Sequence, residues 1–328
     1  MRLIIHPGHA KCGSTTIQQF LAKNRRYLYA NRVLIADTEF RMPSDNDFEW
    51  EAETPRGFFE RVVREDKFEL LEKRIKAIGS SSDFDIFIIS AENLPNHLDG
   101  NGRRIYEIFT THFTDIQIIY YIKPQDTFLM SAWQQWGYKT GISLHNNIIK
   151  AIANGLPNYC DIVKKLETIF TKEAIRVIPL SKHVLREGDL LKDFVFACNI
   201  DLSNIDYTQN AANKSMSLIL CETLGQNPEL FKDIHDESIK DMLVKFTNDN
   251  DLLYTRFDEM LTLEDREEVL SHFLLDNQYL HENYFSHVKF SNVFSAQKSF
   301  DNKISEKEYY QKFILLLIRN IIEKEKEY

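Results

Sequence analysis

Lys11, Ser14, Thr15 and Thr16 lie in one short stretch, Pro7-Gly-His-Ala-Lys-Cys-Gly-Ser-Thr-Thr16. A cation, a row of hydroxyls and two glycines are what an oxyanion site needs. The glycines let the chain turn tightly, and free N–H groups at a helix start then face the bound group. The positive end of the helix dipole adds to that potential. A phosphate is the usual occupant, and Lys11, Cys12, Gly13, Ser14, Thr15 and Thr16 are the candidates to hold it. Before the turn runs Arg2-Leu-Ile-Ile-His6 and after it Ile17-Gln-Gln-Phe-Leu21, which predicts a strand feeding a helix. The helix is expected to begin near Ser14, whose hydroxyl suits a cap position.

Spacing separates this loop from a Walker A loop, in which lysine and then serine or threonine follow the second glycine. Gly8 and Gly13 have the right separation, but position 14 is serine and the lysine, Lys11, lies inside the loop. Two more strand ends carry candidate chemistry. Asp85-Ile-Phe-Ile-Ile-Ser90 reads as a buried strand that runs into Ala91-Glu92, and Asp115-Ile-Gln-Ile-Ile-Tyr-Tyr-Ile122 as another that runs into Lys123. Glu92 is a candidate general base if burial lifts it toward neutrality, with His6 and His9 as rival bases. The alternative reading is that Glu92 caps a helix or pairs with a lysine.

These residues resemble those of the sulfotransferases that use 3′-phosphoadenosine 5′-phosphosulfate (PAPS). The order Ala-Lys-x-Gly-Ser-Thr resembles their 5′-phosphosulfate loop. Ser90-Ala-Glu92 matches the Ser-x-Glu of bacterial carbohydrate-directed members. Lys123 and Ser131 stand eight residues apart, where that family places an arginine and a serine on the 3′-phosphate; lysine for arginine is a departure, since an ammonium cannot make the bidentate pair. Gly188-Asp-Leu190 with Asp193-Phe194, Asn213-Lys-Ser-Met-Ser217 and Asp276 to Phe285 extend the likeness over roughly residues 1–290. The resemblance implies a P-loop-like sulfotransferase fold and transfer of a sulfuryl group from PAPS to a hydroxyl, with 3′-phosphoadenosine 5′-phosphate (PAP) as product. It implies Lys11 stabilising the leaving charge, Glu92 as base and no metal. The implied acceptor is a cell-surface polysaccharide or glycolipid sugar. Two alternatives stay open: a P-loop small-molecule kinase, and a PAP- or nucleotide-binding protein without catalysis.

The elements that must position these groups follow from the pattern. Strand–helix alternation over residues 1–200 predicts an α/β fold, a parallel sheet with helices on both faces, followed by a mostly helical last third. One domain is expected over 1–290, with a helical extension over 291–328. Lys303 to Tyr328 should form an amphipathic helix, packed on the domain or on a second subunit, so a homo-oligomer is one reading and contact with a membrane surface another. The acidic stretch 41–57 reads as a connection in which Trp50 could serve a sugar. Trp133, Trp136 and Tyr138 are rings that could stack or fill core.

Composition sets limits. A net charge of −9 over 328 residues argues against nucleic acid. Four cysteines without metal or CxxC spacing fit reduced thiols, and Cys12 reads as a tolerated small residue. No apolar run reaches the ~18 residues of a membrane span and the chain opens on a strand, so a cytoplasmic enzyme is expected, with the inner face of the membrane as a second placement.

Overall fold

The computed structural model describes residues 1–42, 54–201, 203–208, 215–255, 261–296 and 305–325. The chain divides into two compact units: Met1–Pro124 with Asn158–Asn210 and Leu275–Phe294, and Gln125–Pro157 with Ala211–Leu274 and Ser295–Tyr328.

The first unit is built on five strands: β1 (Arg2–His6), β2 (Val33–Ile35), β3 (Ile86–Ser90), β4 (Ile116–Ile122) and β5 (Ile175–Pro179). All pair in parallel, in the order β2-β3-β1-β4-β5. The α/β class and parallel sheet expected from the apolar runs are thus observed. The strands bury side chains on both faces, which is why they read as continuous apolar runs and not as alternation: Leu3, Ile4, Ile5, Phe87, Ile88, Ile89 and Ile118 to Ile122 are all fully buried. β1 lies at the centre, in register with β3 through Ile4↔Ile88 and His6↔Ser90 and with β4 through Ile5↔Ile118. The chain leaves β1 for one edge, returns to β3, then crosses to β4. The carboxyl ends of β3, β1 and β4 therefore stand side by side at a topological switch point, the usual ligand crevice of an open parallel sheet.

Helix α1 (Ser14–Lys23) follows β1 and buries Ser14, Ile17, Phe20 and Leu21. The helix Leu190–Ala197 starts on Asp189, whose carboxylate accepts from the N–H groups of Leu191 and Lys192. Its far end is closed by two strand arginines: Arg176 donates to Ala197 O at 3.0 Å and Arg2 to Cys198 O. Cations at a helix carboxyl end satisfy orphan carbonyls and oppose the dipole.

The second unit is helical in its described residues, with helices Gln125–Gln135, Leu144–Ala153, Leu218–Gly225, Ser238–Phe246, Leu263–His272 and Glu306–Glu325. A buried ion pair, Arg266 to Asp126 at 2.7 Å with both side chains 4 % exposed, ties two of them. Trp133 is core: it is fully buried, donates to Ile142 O at 2.8 Å and packs edge-on against Tyr138, whereas Trp136 is half-buried.

Candidate anion-binding site at the central strand

The chain between β1 and α1 reaches its helix through three left-handed residues, Gly8 (φ 59°), Lys11 (φ 61°) and Gly13 (φ 82°). Lysine in this region is strained relative to glycine, and it sits where the backbone turns back: Cys12 N donates to His9 O at 3.0 Å. Gly13 is the helix cap and supplies no side-chain acceptor. The first N–H groups of α1, which no intrahelical carbonyl can reach, thus lack the covering side chain that serine or aspartate would provide. Thr15 is exposed and Thr16 half-buried beside them.

Ser14 does not cap the helix. It is the first helical residue, buried, and its hydroxyl donates to the Glu92 carboxylate, with His9 O a weaker acceptor at 3.3 Å. The reason is local: a glycine in the left-handed region already occupies the cap position, which turns the next side chain back toward β3. The loop also rests on residue 92 itself, since a Cβ on Gly8 would lie 3.1 Å from Glu92 Cα and 3.2 Å from its Cγ. Glu92 follows β3 by two residues and is half-buried.

Lys123 comes directly after β4 and is half-buried. It belongs to the same neighbourhood as the loop. The buried Cys12 thiol feels Lys123 and Lys11 as stabilising charges and Glu92 as an opposing one. Burial outweighs all three and pushes the thiol up to about 12, so Cys12 is a packing residue and no thiolate. Lys11, Cys12, Gly13 to Thr16, Glu92 and Lys123 are therefore brought together at the carboxyl end of the sheet. Ser131 lies in the second unit; it is buried and its hydroxyl donates to Thr127 O at 2.8 Å, one turn back in its own helix.

The two histidines are held in place by their surroundings. His6 is fully buried, with Nδ1 2.8 Å from Ser90 Oγ and its ring edge-on to Phe194 and Tyr121. Burial lowers it to about 3, so it stays neutral at physiological pH and is a weak base. His9 is lowered to about 4 by burial, against the opposing effect of its bond to Ala10 O, and its ring packs on Tyr159 at 4.8 Å.

Several contributors had no role that the sequence assigned. Tyr159 backs the loop from below, with its hydroxyl 3.7 Å from Cys12 Sγ and bonded to the Lys123 backbone. Leu190 closes on Gly13, Phe194 on His6, and Asp193 accepts from Tyr121 at 2.8 Å and from Arg186 N at 3.0 Å. The stretch Gly188 to Phe194 is thus a brace for the anion loop, a role its residues did not announce. In the stretch Asp276 to Phe285, Tyr279 and Tyr284 both donate to Glu167, at 2.7 and 2.5 Å, and Asn277 is fully buried. Ser215 is exposed, while Asn213 and Trp50 lie outside the described residues. Compared with family models, with curated proteins and with solved structures, the chain has no match in any of the three.

Proposed function

We propose that the chain is a PAPS-dependent sulfotransferase of the bacterial carbohydrate type, with the P-loop-like fold of that family. The observation that carries this reading is the convergence of an uncapped helix start, Lys11, Lys123 and a carboxylate, Glu92, at the carboxyl ends of β1, β3 and β4. The residues fit the group. Gly13 places bare N–H donors where a 5′-phosphate would sit, and Lys11 and Lys123 supply the local positive charge that a chain of net charge −9 must provide for an anion. When bound, PAPS supplies the activated sulfuryl group.

This chain's own residues then divide the work. The N–H groups of Gly13 to Thr16 and the hydroxyls of Thr15 and Thr16 hold the phosphate end. Ser14 contributes its N–H there, because its hydroxyl proton is committed to Glu92. Lys11 balances charge as it develops on the leaving oxygen, and Lys123 holds the second phosphate as a point charge. Glu92 takes the proton of the incoming hydroxyl, with Ser14 fixing the carboxylate's orientation. Transfer of this kind depends on positioning and charge stabilisation more than on covalent help from the protein. The acceptor is proposed to be a hydroxyl of a cell-surface polysaccharide or glycolipid sugar.

Calorimetric titration with PAP, with adenosine 5′-phosphate as the control, tests the reading. Tight PAP binding, much weaker without the 3′-phosphate and lost in Lys11→Ala, supports it. Equal affinity for the two nucleotides, or turnover of ATP with Mg²⁺, moves the assignment to the kinase class.

A further inference from the structure

Gln18 lies one turn beyond Ser14 on α1, so the two side chains share the helix face that meets the end of β3. Ser14 gives its hydroxyl proton to Glu92. Gln18 makes no comparable bond: its Nε2 is buried and has no partner among the described residues. A buried amide donor without an acceptor is costly in a folded protein and calls for an explanation.

Gln18 lines a cleft in the first unit, between α1 and the ends of β2 and β3. The walls are apolar at Leu21, Ala22 and Ile35, and the polar groups are Gln18, Arg25, Thr54 and Ser90. The space is about 270 Å³ with the solvent at its mouth included, below the roughly 300–1,000 Å³ of pockets that hold whole ligands. It suits a substituent of a few heavy atoms, carried on a ring that stays outside.

Charge narrows the class of substituent. Arg25 is the cation of the cleft and is already engaged: its guanidinium donates to Ala36 O at 3.1 Å and feels the Asp37 carboxylate. Behind Ser90 stands His6, 2.8 Å from the serine hydroxyl and kept neutral by burial. An anionic substituent would have to compete for Arg25, so a neutral one fits better. What the cleft presents is an unanswered N–H donor beside aliphatic carbon. An acetamido group matches both: its carbonyl oxygen accepts from Gln18 Nε2, and its methyl lies on Leu21, Ala22 and Ile35. A hydroxyl matches only the donor, and an alkyl group only the wall. Gln18 stands about 6 Å along the α1 axis from Ser14, the partner of Glu92, a separation that one pyranose and its substituents span.

We propose that this cleft receives the N-acetyl group of an acetamido sugar, with Gln18 donating to its carbonyl while a hydroxyl of the same sugar meets Glu92. The part given to Glu92 rests on the sulfotransferase reading; the selectivity of the cleft does not. Calorimetry and saturation-transfer NMR of the full chain, with and without PAP, test it with methyl β-N-acetylglucosaminide and methyl β-glucoside as probes. The acetamido sugar should bind at least about tenfold tighter, and its acetyl methyl should receive the strongest saturation. Gln18→Met keeps the length of the side chain and removes the donor, so it should abolish the preference with a thermal melt like wild type. Ala22→Leu fills the cleft from a half-buried helical position and should have the same effect. Neither should alter PAP affinity. Equal affinity for the two sugars, or a preference that survives both substitutions, overturns the proposal. A preference for the acetamido sugar in a chain that binds no PAP upholds the cleft and overturns the sulfotransferase reading instead.

Discussion

The Ser14 hydroxyl donates to the Glu92 carboxylate, joining the first turn of α1 to the end of β3 across the mouth of the anion loop. The residue expected to cap a helix instead orients the acid expected to take a proton. A single hydrogen bond thus couples the two halves of the candidate site, the phosphate end and the acceptor end. Hydrogen bonds to a charged group contribute about 1.5–3 kcal/mol, enough to decide where a half-buried carboxylate points.

Removing that donor should separate binding from chemistry. In Ser14→Ala the N–H groups of α1 remain, so PAP affinity should stay within about threefold, less than 1 kcal/mol. Turnover should fall by roughly 10–10², the usual effect of a displaced catalytic group. A parallel loss of affinity and rate, measured by calorimetry and by PAPS-dependent sulfation of a glycan panel, would show that Ser14 acts on the phosphate instead.

Lys11 and Glu92 should fail in different ways. Lys11→Ala should weaken PAP and lower turnover by about 10²–10³, with a circular dichroism spectrum like wild type. Retention of more than about a tenth of the rate contradicts the role given to Lys11. Glu92→Gln should keep PAP affinity and lose turnover, since the amide preserves shape and cannot accept the proton.

Gly13 carries two constraints that a pair of substitutions can separate. Its φ of 82° is unfavourable for any other residue, and a Cβ there would lie 2.5 Å from Leu190 Cδ2. Gly13→Ala should destabilise the protein by about 1–3 kcal/mol through strain and overpacking together. Leu190→Ala removes the steric part alone, so the double variant should be less destabilised than the sum of the single ones. Additive losses in urea-melt midpoints would place the whole cost in the backbone.

The sheet was legible because its strands are buried on both faces: Leu3 to Ile5, Phe87 to Ile89 and Ile118 to Ile122 read as apolar runs in any parallel sheet. β2 was not, because Val33–Ile35 is too short to show a period. The loop was legible because glycine, lysine and hydroxyls serve one chemistry at fixed spacing. What surrounds it was only partly so: Leu190 and Phe194 belong to a stretch that the likeness picked out, but neither their role as a brace nor that of Tyr159, which no pattern marked, could be read, because all three reach the loop by tertiary packing from far along the chain. The cap differs from the expectation for a related reason: a left-handed glycine and a following serine compete for one position, and backbone geometry decides between them.

Thiol chemistry gives an independent check on the loop. Burial pushes Cys12 up to about 12 and Cys221 likewise, and Cys160 to about 11; all four cysteines are free and buried. The native protein should react with Ellman's reagent only as fast as it unfolds, and all four thiols should appear in denaturant. Fast labelling of Cys12 in the native state would mean the loop is open in a way its packing on Tyr159 does not allow.

Acid should destabilise the first unit through His6. Its folded value of about 3 lies below the ordinary 6.5 because burial disfavours the imidazolium, and Ser90 at Nδ1 gives no compensating charge. Between those two values the unfolded chain binds a proton that the folded chain refuses, so stability is complete above pH 6.5 and falls as the pH drops toward 3. The loss approaches about 1.4 kcal/mol for each pH unit in that window, on the order of a few kcal/mol in all. His6→Asn keeps a polar group facing Ser90 and removes the titration. Its urea midpoint should be lower than wild type at pH 8, where the better-packed imidazole is neutral and stabilising. Below pH 6 the two proteins should converge, since only the wild type loses stability to the histidine's proton. Curves that stay parallel from pH 8 to pH 4.5 would mean that His6 takes up its proton without leaving its place beside Ser90.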